Sequence, residues 1–118
     1  MGDFRKLEVW QKARELTNLA YRTTEEFPDS ERFGLTSQIR RAGVSVMANI
    51  AEGCGRNTSG QMIWFLSVAA GSATELQCHF IVAADQGFLQ DPVASDLDRR
   101  IARVQRMLWG LIRRLRDP

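Results

Sequence analysis

The residues of this chain that could do catalytic chemistry are few and poorly spaced for it. Its single histidine, His79, lies between Cys78 and Phe80. Cys78-His79 is too close a pair to define a metal site, and no further ligands complete a four-coordinate geometry. A lone histidine in apolar surroundings reads as a hydrogen-bonded packing residue. Glu52 and Glu75 could act as paired carboxylates only if the segments carrying them face each other at that level, and arginine neighbours would favour ion pairing over general acid work. Gly53-Cys54-Gly55 followed by Gly60 mimics a glycine-rich phosphate loop. Gln61 and Met62, however, stand where a lysine and a hydroxyl would be needed, and the run joins two helices instead of a strand to a helix. Turn chemistry is the expected role of these glycines. No catalytic residue, metal or cofactor follows from the sequence, and the expectation is a protein that is not an enzyme.

The charged residues are more informative. Net charge is +2, from 16 Lys+Arg against 14 Asp+Glu. Fourteen of the basic residues are arginine, and seven lie between Asp96 and Pro118, a segment that carries +4 while residues 1–95 carry −2. The near-neutral total hides a dipole. At helical spacing Arg99, Arg100, Arg103, Arg106, Arg113 and Arg114 occupy the half opposite a leucine stripe. One reading is a solvated helix whose last-turn cations complement the helix dipole. The other is a phosphate-contacting surface, because the planar guanidinium fork suits phosphate oxygens and a solubility face more usually mixes Lys and Glu. Only Trp109, on the flank, offers a stacking ring, so base-specific readout is not indicated.

A second polar cluster comprises Arg40, Arg41, Ser45, Asn49, Glu52 and Arg56. Arg41, Ser45, Asn49 and Glu52 follow one another at four, four and three and share a helical face, with Arg56 four beyond Glu52. They could form a polar ligand site, with Arg56 beside the free backbone donors of the next helix as an anion cradle. They could equally form a network fixing helix register, or ion pairs across an interface, and the structural role is the preferred expectation.

The elements that must position these groups are helical almost throughout. Val9, Ala13, Leu16, Ala20, Thr24 and Phe27 fall on one stripe, which Phe27-Pro28 ends. Leu35, Ile39, Ala42, Val46 and Ile50 form a second stripe. Thr58 and Gln61 offer a capping box for a third helix with the stripe Met62, Leu66, Ala69, Ala73, Leu76, Phe80 and Ala83. Ile63, Phe65, Val68, Ile81 and Val82 make its other faces apolar as well, which points to a subunit interface. Gly87 closes it, and Asp91-Pro92 opens a fourth helix with the stripe Leu97, Ile101, Val104, Leu108, Leu111, Ile112 and Leu115. Helices over about 5–26, 35–54, 59–87 and 92–116 with short connections predict an all-α, antiparallel up-down-up-down four-helix bundle in a single domain, residues 1–118.

A domain of this length buries roughly two-thirds of the surface its unfolded chain exposes, too little for a core plus a deep cleft. Two cysteines are too few for a disulfide framework, and the first residues contain no apolar stretch of signal-peptide length. A reduced, cytoplasmic protein without a membrane anchor is expected.

Several ordered blocks resemble one family: Leu7-Glu8-Val9-Trp10-Gln11-Lys12-Ala13, Phe27-Pro28 through Phe33-Gly34-Leu35, Gln38-Ile39-Arg40-Arg41-Ala42, Asn49-Ile50-Ala51-Glu52-Gly53 with Arg56, and Gly71-Ser72 with Glu75-Leu76. These are similar to the bacterial four-helix bundle proteins encoded in 23S rRNA intervening sequences. The resemblance implies a cytosolic homopentamer without known catalysis or cofactor. Relatives of the same fold, the accessory proteins of diversity-generating retroelements, are basic pentamers that bind nucleic acid and a reverse transcriptase. By the same mapping Asn49, Glu52, Gly53 and Arg56 occupy the family's most characteristic motif, with a structural role. The expected function is a homo-oligomeric accessory protein that binds RNA or DNA phosphates without sequence readout. The alternative is a protein-interaction scaffold with no nucleic-acid role.

Overall fold

The computed structural model describes residues 2–118. Four helices account for most of it: α1 (Glu8–Thr24), α2 (Leu35–Cys54), α3 (Ser59–Asp85) and α4 (Asp91–Arg116). No strand occurs among the described residues. The fold is all-α, with principal extents of 45 × 23 × 20 Å.

Facing pairs run in opposite order on successive helices, which makes each antiparallel to the one before. Thr17 of α1 meets Gly43 of α2, whereas Thr24 meets Arg40. Ser45 of α2 meets Ser72 of α3, whereas Gly53 lies against Met62 and Phe65. Between α3 and α4, Gln77 bonds Asp98 and Thr74 bonds Gln105. Helix α1 also touches α4, and among the described residues no Cα atoms of α1 and α3, or of α2 and α4, approach within 8 Å, so these are the diagonal pairs of the bundle across its shared core.

The apolar periodicity accounts for this arrangement. Every member of the first stripe from Val9 to Phe27 is buried, as are the stripe of α3 from Met62 to Ala83 and that of α4 from Leu97 to Ile112. Ile39, Ala42, Val46 and Ile50 complete the core from α2. Each helix thus turns one face inward, and burial of these side chains supplies most of the stabilisation that short isolated helices lack.

The ends depart from expectation in ways with local causes. Residues Phe4–Lys6 form a separate 3-10 turn capped by the Asp3 carboxylate, which accepts from the Arg5 amide at 3.0 Å. Leu7 is extended (φ −74°, ψ 128°) and breaks the path before α1. The Phe4 ring folds back edge-on to Trp10, with centroids 5.0 Å apart. At the start of α3 the Thr58 hydroxyl accepts from the Gln61 amide at 3.1 Å, making the backbone half of the expected capping box. Helix α4 begins one residue early: Gln90 is the N-cap and Asp91 the first helical residue, so Asp91 acts through its charge in the first turn and not as a side-chain cap. Gly87, at φ +80°, ends α3 in the left-handed conformation.

Gly53 corrects the expectation of a turn glycine. It is buried inside α2, and a Cβ there would stand 3.2 Å from the Phe65 Cβ and 3.4 Å from the Met62 carbonyl oxygen. Its role is the close approach of α2 to α3.

Candidate nucleic-acid interface

All six predicted arginines of α4 are exposed, but the structure divides them into two sets. Arg99 and Arg100 both reach back to Asp96, with Arg100 Nε 3.0 Å from Oδ2. The hydrogen bond from Arg100, with help from Arg99, holds the Asp96 carboxyl below its ordinary pKa. Arg103 Nη2 lies 3.4 Å from Glu8 Oε1 at the start of α1. Such exposed pairs contribute little to stability, but the two carboxylates engage three of the six arginines and offset two of their positive charges locally.

Arg106, Arg113 and Arg114 have no ion-pair partner among the described residues, and neither does Arg116. They lie on the second half of α4. Trp109, 45% exposed, stands three residues after Arg106 and four before Arg113, so the three share one face and line a shallow depression with Ala102 and Gln105. The exposed ring borders Arg106 and Arg113 at the flank of the arginine face, as the spacing predicts, while Arg114 lies on the other side of that face in a groove with Leu7, Glu8 and Arg106. The same end of the bundle carries the start of α3, where Trp64 is 61% exposed and Arg56 stacks over Phe65, its guanidinium carbon 5.4 Å from the ring centroid.

The predicted motif of α2 comes apart into three. Asn49 Nδ2 donates to the Ser45 carbonyl at 2.8 Å and lies 3.1 Å from the Ser45 hydroxyl, which pairs with the Ser72 hydroxyl at 2.8 Å. That network ties α2 to α3. Glu52 and Arg56 form an exposed pair at 3.3 Å within one helical turn. Arg41 bonds to neither group, although it shares a groove with Ser45. It lies toward the opposite end of the bundle, in a groove with Tyr21 and Arg40.

The groups considered for catalysis are not brought together. Gly53 sits against Phe65, and Glu75 lies ten residues beyond that level on α3, about 15 Å along the axis at 1.5 Å per residue. Glu52 and Glu75 therefore do not face each other. Glu75 instead lies 3.9 Å from His79 Nε2, a buried atom with no hydrogen-bond partner. Burial raises the pKa of the Cys54 thiol, which suits a packing role. No helix is long and apolar enough to cross a membrane among the described residues.

Comparison with known proteins gives one family and one fold. The family described as 23S rRNA-intervening sequence protein matches residues 5–110. The chain is similar in structure to a crystallised protein of unknown function from the S23 ribosomal protein family of Bacteroides thetaiotaomicron, with a TM-score of 0.80. The two are 20% identical, and the alignment covers 88% of this chain and 97% of the other. No curated protein shows a significant match.

Proposed function

We propose that this chain, which belongs to the 23S rRNA-intervening sequence protein family, is a non-catalytic, homo-oligomeric accessory protein that holds RNA or DNA by its phosphates without reading sequence. The observation that carries the reading is the pair of unpaired arginines, Arg106 and Arg113, beside the exposed ring of Trp109, with Arg114 unpaired on the adjoining face of the same half of α4. Arginine forks without a carboxylate partner present their donors outward, and phosphate oxygens match them. An indole beside them adds a sequence-tolerant stacking platform for an unpaired base. The other three arginines are secondary, because Asp96 and Glu8 hold them.

Oligomerisation is part of the same proposal, and a cytoplasmic pentamer is the form it takes. Trp64 and Ile81, 61% and 54% exposed, leave apolar surface on α3 for another subunit. Repetition of the arginine face in a ring converts moderate attraction by one chain into avidity. Light scattering at micromolar concentration is expected to give a multiple of the 13.4 kDa chain mass. A monomer mass refutes the assembly. Fluorescence anisotropy with labelled RNA and DNA at low and moderate salt tests the ligand, and absence of binding at low salt refutes it. Recovery of a specific protein partner free of nucleic acid instead supports the scaffold reading.

A further inference from the structure

Toward the end of the bundle remote from the free half of α4, Tyr21 of α1, the connection between α1 and α2, and the first half of α2 line an open groove of about 740 Å³. Its chemistry comes from Tyr21, Arg32, Phe33, Ser37, Arg40 and Arg41, and no carboxylate lines it. None of the three arginines has an ion-pair partner among the described residues. Arg40 is fixed in place all the same. Its Nε donates to the Thr24 hydroxyl at 2.9 Å, its Nη2 to the Tyr21 carbonyl at 3.2 Å, and its guanidinium carbon lies 4.7 Å from the Tyr21 ring centroid. These partners are neutral, so the side chain is oriented while its charge is left uncompensated. Three of its five N–H donors are free. Arg32 stacks on Phe33 at 5.4 Å, and that ring is 90% exposed.

We infer that this groove is a binding site for a free nucleotide, a nucleoside di- or triphosphate. A half-buried guanidinium held by neutral acceptors, with two more arginines beside it and no acid, calls for a ligand carrying several negative charges. The volume falls in the range of small-molecule sites and exceeds what one phosphate needs. The rim supplies the remainder of the match: two aromatic rings, each already carrying a guanidinium, give flat surfaces for a planar base, and the Ser37 hydroxyl is available to a sugar or phosphate oxygen. The site lies on other helices than the α4 interface and does not depend on it.

Calorimetric titration of the full-length protein with ADP, ATP and GTP, with pyrophosphate, and with a short polyglutamate peptide tests this. Saturable nucleotide binding is expected, with pyrophosphate and polyglutamate each at least tenfold weaker. Arg41→Gln and Phe33→Ala, both on exposed side chains, are each expected to weaken nucleotide binding at least fivefold with an unchanged thermal melt. Arg40→Gln is expected to weaken it further, and because Arg40 also anchors α2 to α1, the two surface variants decide the matter. The variant R106Q/R113Q/R114Q is expected to bind nucleotide like the natural chain, which separates this site from the α4 interface. Absence of saturable binding at millimolar nucleotide, equal affinity for polyglutamate, or unchanged affinity in both surface variants overturns the inference.

Discussion

The division of the α4 arginines gives a test in which two variants lose the same formal charge. R106Q/R113Q/R114Q removes the three unpaired side chains, and R99Q/R100Q/R103Q removes the three held by Asp96 and Glu8. Each phosphate contact on a single strand contributes about −0.7 to the slope of log K against log salt. Loss of three contacts therefore flattens the slope by about 2 per engaged chain. Over a fourfold rise in salt, from about 50 to 200 mM, that slope corresponds to roughly a 20-fold change in affinity that the natural chain shows and the first variant lacks. The second variant is expected to change the slope by less than about 0.7, because its arginines already have counter-charges and release few ions on binding. Anisotropy titrations with a fluorescent single-stranded RNA at four salt concentrations read both slopes. Equal flattening by the two variants would show that only overall charge matters and would refute the assignment of contacts to the free half of α4.

Three further outcomes follow from the same geometry. Trp109→Ala is expected to weaken single-stranded RNA by about 1–3 kcal/mol while leaving the salt slope and duplex binding nearly unchanged, since stacking needs an unpaired base; parallel titrations with single and double strands check it. Asp96→Asn releases Arg99 and Arg100 and is expected to steepen the slope by up to about 1.4. Acidification to pH 5 should not imitate it: the folded-state pKa of Asp96 is depressed, so the pairs persist above its ordinary value and open only as pH falls through the lowered one. Gly53→Ala is expected to cost about 1–3 kcal/mol, because the new Cβ meets the Phe65 Cβ and the Met62 backbone, whereas Gly71→Ala, in open space on α3, is expected to gain up to about 1 kcal/mol from helix propensity. Thermal melts of the two variants should shift in opposite directions.

The apolar stripes were legible because burial on a helix imposes a 3.6-residue period that residue type alone reveals, and Val9 through Phe27 shows it without exception. Gly53 was misread because a glycine needed for a turn and one needed for close helix approach look alike until the facing residue, Phe65, is known. The pairing of Arg99 and Arg100 with Asp96 was within reach at spacings of three and four. That of Arg103 was not, since its partner Glu8 lies 95 positions away. The groove at Arg40 escaped for the same reason: Tyr21 and Thr24 come to it from another helix, and a cluster judged along α2 alone joined Arg41 to Asn49 and Glu52 instead.

The diagonal placement of α2 and α4 also bears on whether the two arginine sites can serve one ligand. Helix α4 stands diagonal to α2, and its free half lies at the end where α1 begins, whereas the groove lies where α1 ends. Arg40 lies thirteen residues before Gly53, the α2 residue that meets the start of α3, about 20 Å along the axis at 1.5 Å per residue, and the diagonal of the bundle separates it from Arg113 as well. At an ionic strength of 0.1 M the Debye length is about 10 Å, so charge neutralised at one site is hardly felt at the other. A nucleotide in the groove should therefore leave RNA bound on α4, and saturating ADP is expected to change RNA affinity by less than about twofold at that salt. If ADP instead displaces RNA competitively, the two ligands share one set of arginines, and the separation of the sites read from the structure is wrong.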